Sequence, residues 1–90
     1  MEFEGLPGAD LVRKGLADLA RGEVTEESLL VSIGSPRLRL LGVKVAGELS
    51  DAEGLLYRLL AESNSDAAHG RFNALVRLLV SFERALARAA

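Results

Sequence analysis

Between Ala9 and Arg21 the apolar residues Val12, Leu16 and Leu19 recur at i, i+4 and i+7, the spacing of one face of an α-helix. Asp10 near the start and Arg21 near the end suit the helix dipole, and Gly22 fits the left-handed residue that closes a helix. A second pattern follows. Thr25 is a good N-cap, Glu26 and Glu27 suit a first turn, and Leu29, Leu30 and Ile33 share a face. Gly34 reads as a stop, so the spacing predicts a helix over 26–33. Ser35-Pro36 then reads as a new start, because Ser caps helices and Pro is preorganised for the first helical position. A short helix over 35–41 is expected, ending at Gly42. A competing reading uses the alternation in Arg37-Leu38-Arg39-Leu40 and Val43-Lys44-Val45, which would build a small hairpin within 28–46.

Ser50 and Glu53 have capping-box spacing ahead of Leu55, Leu56, Leu59 and Leu60, which predicts a helix over 51–62. Residues 63–66 are a polar break. The last helix is expected to begin near Asp66 or Ala67 and to reach the C-terminus. Its apolar residues Ala68, Phe72, Leu75, Leu79, Phe82 and Leu86 are spaced 4, 3, 4, 3, 4, a heptad-type stripe. Val76 and Val80 widen the stripe, while Arg71, Arg77, Arg84 and Arg88 fall mostly off it. Residues 1–8 (MEFEGLPG) show no period and read as a flexible lead-in to a single domain over 9–90. The expected fold is all-α: a small bundle of four main helices plus one short helix, closed by the long C-terminal amphipathic helix. The alternative is α+β, with the hairpin within 28–46.

Composition narrows the chemistry. The chain has 90 residues, 49% hydrophobic and 27% charged, which suits one folded domain. The absence of Cys excludes disulfides, thiolate zinc sites and Cys nucleophiles. A single His excludes a multi-His metal site within one chain. No apolar run approaches the roughly 20 residues of a membrane span. The aromatic residues Phe3, Tyr57, Phe72 and Phe82 are too few for a platform that stacks single-stranded nucleic acid. The acidic start lacks the basic-then-apolar order of a secretory signal, so a cytoplasmic location is expected. Nine Arg against two Lys, with no Gln and few Asn or Met, fit a GC-rich genome or selection against heat-labile side chains. Both point to a bacterial source, thermophilic in the second case. The formal charge of -2 is uneven: the chain through Ser35 carries -4 and the remainder +2. Solvated helix faces explain this; a sharper reading has the acidic front of one chain meeting the basic back of another.

Candidate chemical groups are sparse. His69 and Asp66 are three residues apart and would share a helix face, as half of a dyad or simply as a surface or capping His. Glu26 and Glu27 point about 100° apart on a helix, and Asp51 and Glu53 are helix-start acids. The glycines spell no phosphate loop. Gly15 and Gly54 lie within helices, where glycine costs about 1 kcal/mol relative to Ala unless it allows close packing. No catalytic, metal or cofactor-binding residue is assigned, and an enzyme is not expected.

The expected function is a non-enzymatic helical interaction module. It would self-associate as a homodimer, or bind a protein partner, through Phe72, Leu75, Leu79, Phe82 and Leu86. One alternative is a small DNA-binding regulator whose segment 29–43 forms a helix-turn-helix outline with Arg37 and Arg39 as nucleic-acid contacts. The negative net charge opposes that reading. Another is an accessory subunit of a larger enzyme, and an Arg-rich amphipathic last helix lying on a membrane surface is a further option.

Overall fold

The computed structural model describes residues 3–89, which form four helices and no strand: α1 (Ala9–Ala20), α2 (Glu26–Leu40), α3 (Ala52–Ser63) and α4 (Ala68–Ala89). The expected all-α bundle is the fold observed, and no hairpin forms within 28–46. Residues 3–8 make two turns into α1, with Leu6 N–H donating to Phe3 O at 3.1 Å and Ala9 N–H to Leu6 O at 3.2 Å. Met1 and Glu2, the start of the expected lead-in, lie outside the described residues.

α1 ends as its sequence predicts. Gly22 takes φ 73°, its N–H reaches Leu19 O at 3.0 Å, and the Glu23 N–H reaches Asp18 O at 2.8 Å. This pair of bonds satisfies carbonyls that the helix itself leaves free. Thr25 then caps α2. Its hydroxyl accepts from the Ser28 N–H at 3.1 Å while its own N–H donates to Ser28 Oγ at 2.8 Å. A reciprocal cap of this kind is worth about 1 kcal/mol.

α2 corrects the sequence reading. Gly34 does not stop it and Ser35-Pro36 does not start another helix; the two expected helices are one, with Pro36 inside. Proline there removes the bond to the Ser32 carbonyl and costs about 3 kcal/mol in a helix interior. Burial outweighs that cost. Leu29, Leu30, Val31 and Leu38 are at most 1% exposed, and Ser28, Ser32, Gly34 and Ser35 are buried as well. α2 is the central helix and packs against all three others. The chain leaves it at Gly42, with φ 90°, where the Gly42 N–H bonds Arg39 O at 3.0 Å and the Val43 N–H bonds Leu38 O at 2.9 Å. Gly22 and Gly42 are thus the true stops; Gly34 has no such backbone role.

Two glycines allow helices to approach. A Cβ on Gly15 would lie 2.4 Å from both the Glu27 carbonyl oxygen and Val31 Cγ2, so α1 and α2 cross in contact there. A Cβ on Gly34 would lie 2.9 Å from Leu79 Cδ2 and 3.0 Å from Glu83 Oε2 on α4. α3 begins one residue later than expected. Its N-cap is Asp51, in a left-handed conformation (φ 53°, ψ 39°) with no side-chain cap bond, so the Ser50–Glu53 capping box does not form. The approach to α3 is fixed from outside the helix: the Leu49 N–H donates to Ser32 Oγ of α2 at 2.9 Å. Asp tolerates the left-handed region better than most residues. In the α3–α4 turn, Asn64 Oδ1 accepts from the N–H groups of Asp66 and Ala67, and α4 starts at Ala68.

Candidate functional site

The C-terminal turns of α2 and α4 come together at one end of the bundle. Between them lies a cleft of about 470 Å³ lined by Phe3, Leu16, Leu41, Gly42, Val43, Lys44 and Leu86. Each wall has a local cause. Gly42 turns the chain back after α2, and buried Val43 and Val45 hold the connection down. Arg39 fastens the same connection from outside: its guanidinium donates to the Val45 carbonyl at 3.0 Å and pairs with Glu48. The Arg39 guanidinium, and then the nearby Ser35 hydroxyl, hold the Glu48 carboxyl below its ordinary value. The Ser35 hydroxyl is buried and closes no hydrogen bond of good geometry. Phe3 forms the remaining wall by packing edge-on to Phe82, with ring centroids 5.1 Å apart. Such aromatic pairs contribute about 0.5–1.5 kcal/mol beyond their buried area.

Leu40, directly before the lining segment, is 84% exposed, the most exposed of the large hydrophobic residues among those described. Lys44 lines the cleft itself. One turn before Leu86, Glu83 is only 8% exposed and makes no hydrogen bond or ion pair among the described residues. Burial pushes its carboxyl above the ordinary value, and the charge of Arg37 partly opposes this.

The predicted stripe on α4 is split between core and surface. Leu79 and Phe82, at 4% and 0% exposure, belong to the intrachain core and are not available to a second chain in this conformation. Phe72, Leu75 and Leu86 are half-buried at its edge. Phe72 faces Tyr57 of α3, with ring centroids 5.8 Å apart, and Leu86 lines the cleft. The helix-turn-helix outline over 29–43 does not form, because α2 is continuous through Leu40. Arg39 is engaged with Glu48 and Val45, and Arg37 lies in the last turn of α2 near Glu83, so neither opens a recognition helix.

His69 is exposed and meets Asn73 Nδ2 at 3.2 Å through Nε2; Asp66 makes no ion pair with it among the described residues. No group of three or more His, Asp or Glu residues among the described residues is placed to hold a metal ion. No helix among them is long and apolar enough to cross a membrane.

Sequence reasoning missed Leu41, Val43 and Lys44 as parts of one site, with exposed Leu40 directly before them in the chain. The signal was present in the run Leu38-Arg39-Leu40-Leu41, which holds more leucines than one buried helix face accommodates. Comparison with protein-family models, with curated proteins and with solved structures gives no match for this chain.

Proposed function

We propose that the protein is a non-enzymatic helical interaction module that docks a protein partner at the cleft end of the bundle. The observation that carries this reading is an apolar cleft between the ends of α2 and α4 beside a leucine that is 84% exposed. Isolated exposed leucines are ordinary, whereas apolar surface gathered around a concave site is a common mark of association. The cleft volume lies in the range that holds a few buried side chains of a ligand. The domain is also small, and burial against a partner adds apolar contact that a chain of this length lacks. Of the stripe expected to form the interface, Leu86 contributes to this face.

A site-specific photo-crosslinker tests the location. Placed at Leu40 it is expected to capture a partner in the source cells, and placed at Glu62, at the far end of α3, it is not. Equal capture from both positions would remove the cleft as the docking face.

A further inference from the structure

We propose that Phe3 is a latch that closes the cleft from within the chain, pivoting at Gly5, and that docking at the cleft displaces it. The displacement rests on the docking reading above, whereas the latch rests on the geometry of residues 3–8 alone.

The first observation is how little holds this limb. Residues 3–8 carry two half-buried apolar side chains, Phe3 and Leu6, while Glu4, Gly5 and Pro7 are exposed. Among the described residues, the hydrogen bonds of the segment run within itself or to α1: Leu6 N–H to Phe3 O, Ala9 N–H to Leu6 O and Val12 N–H to Gly8 O. None of these reaches α2 or α4, so ahead of Gly5 the chain is held to the rest of the bundle by the Phe3 side chain, packed on Phe82. A limb kept in place by one turn bond and one half-buried ring belongs at the low end of local opening free energies.

The second observation is the difference between the two glycines that flank Leu6-Pro7. Gly8 is pinned, because a Cβ there would lie 3.1 Å from the Leu78 carbonyl oxygen of α4. A Cβ on Gly5 would meet nothing within 4 Å. Gly5 also takes φ 82°, a conformation that costs glycine little and other residues more. The chain is therefore fixed at Gly8 and has room to turn at Gly5.

The third observation is what the limb separates. Phe3 walls the cleft on one side. On the other, a second cavity of about 370 Å³ is lined by Glu4, Gly5, Leu6, Gly8 and Leu78 among others. Swinging Phe3 out widens the cleft toward this cavity and uncovers part of Phe82, which is 0% exposed with the latch in place. A resident side chain of this kind lowers the apparent affinity of the site in proportion to the time the latch spends closed.

Fluorine NMR of the intact protein, with 4-fluorophenylalanine in place of Phe3, reads the latch without a partner. The wild-type shift is expected to differ from that of the urea-unfolded chain, which marks the released ring. Gly5→Ala adds a methyl in open space and strains only the turn, so it is expected to raise the released fraction about five-fold. Its fluorine shift then moves toward the unfolded value. The urea midpoint of the helices, followed by circular dichroism, stays near wild type, because the latch opens without the bundle unfolding. A Gly5→Ala shift that keeps the wild-type value while the urea midpoint falls would make Phe3 a permanent wall and overturn the latch. A wild-type shift equal to the unfolded value overturns it as well, since Phe3 would then not occupy the cleft. The crosslinker at Leu40 reads the displacement, and capture is expected to rise in Gly5→Ala. Equal or lower capture overturns competition between latch and partner. Capture from neither protein overturns the docking reading and the displacement with it, and the fluorine shifts decide the latch separately.

Discussion

Among the described residues two carboxylates, Asp18 and Glu83, lie buried in this bundle, and their surroundings are opposite. Asp18, at the α1–α2 corner, has a fully buried side chain that meets Lys14 Nζ at 2.7 Å, Arg21 Nη2 at 2.5 Å and Thr25 Oγ1 at 2.6 Å. The hydrogen bond from Lys14, followed by that from Thr25, holds its carboxyl below the ordinary value. Glu83, at the α2–α4 contact, has none of this and is raised by burial. A buried carboxylate is tolerated when it is paired and hydrogen-bonded and otherwise moves toward its neutral form. The Asp18 corner is a finished joint: helix stop, N-cap, ion pairs and the tight Gly15 crossing all meet there. The α2–α4 end is unfinished by the same standard. Among the described residues it holds an unpaired acid, an unbonded Ser35 hydroxyl, the bases Arg37 and Lys44 outside any ion pair, an exposed leucine and a cleft. The difference separates a surface that serves the fold from one with capacity left for a partner.

The contrast can be broken at each end. Asp18→Asn is expected to give the largest fall in Tm of the series, because it removes the charge that three donors converge on. The sign with pH follows from the lowered value. The stabilisation by Asp18 is present above its unfolded pKa of about 3.9 and is lost as pH falls through its lower folded value. Urea titrations of the wild type and Asp18→Asn should therefore differ most near neutrality and converge in acid.

Gly15→Ala comes next, with an expected loss of about 2 kcal/mol at the urea midpoint. The added methyl meets a backbone carbonyl that cannot rotate away, and this outweighs the roughly 1 kcal/mol that Ala gains in helix propensity. Unchanged stability would show that α1 and α2 separate easily and that the corner is looser than its geometry indicates.

Glu83→Gln is the smallest change and has the opposite sign, an expected gain of about 1 kcal/mol at pH 7. A raised folded pKa means that the contribution of wild-type Glu83 is full below its unfolded value of about 4.3 and is lost as pH rises through the folded value. The gain from Gln should accordingly disappear at low pH. A loss of stability at pH 7 would show instead that the ionised carboxylate is well held by Arg37.

These regions also differ in how far they were legible in the sequence. The corner could be read residue by residue, because Gly22 and Thr25 act on their nearest neighbours and local chemistry decides the outcome. α2 could not. Its buried positions run almost all the way round the helix, so no single apolar face marks its length. Gly34 and Ser35-Pro36 then imitate a stop and a start, and only the packing of α1, α3 and α4 around them shows why the helix continues. The Ser50–Glu53 spacing failed for a related reason: Ser32, far back in the chain, sets the approach to α3. The α4 stripe was correctly placed on a helix, but its spacing had no means of telling Leu79 and Phe82, which fill the core, from Leu86, which reaches the cleft. Leu41 and Lys44 join Leu86 only because the ends of α2 and α4 meet.

Native mass spectrometry of the protein purified gently from its source cells, wild type beside Leu40→Glu, tests the docking face most directly. Leu40 is exposed, so the variant is expected to fold as the wild type does. The account predicts a complex with a second protein for the wild type and the bare chain for Leu40→Glu. A bare wild-type chain, or the same complex in both samples, would contradict it.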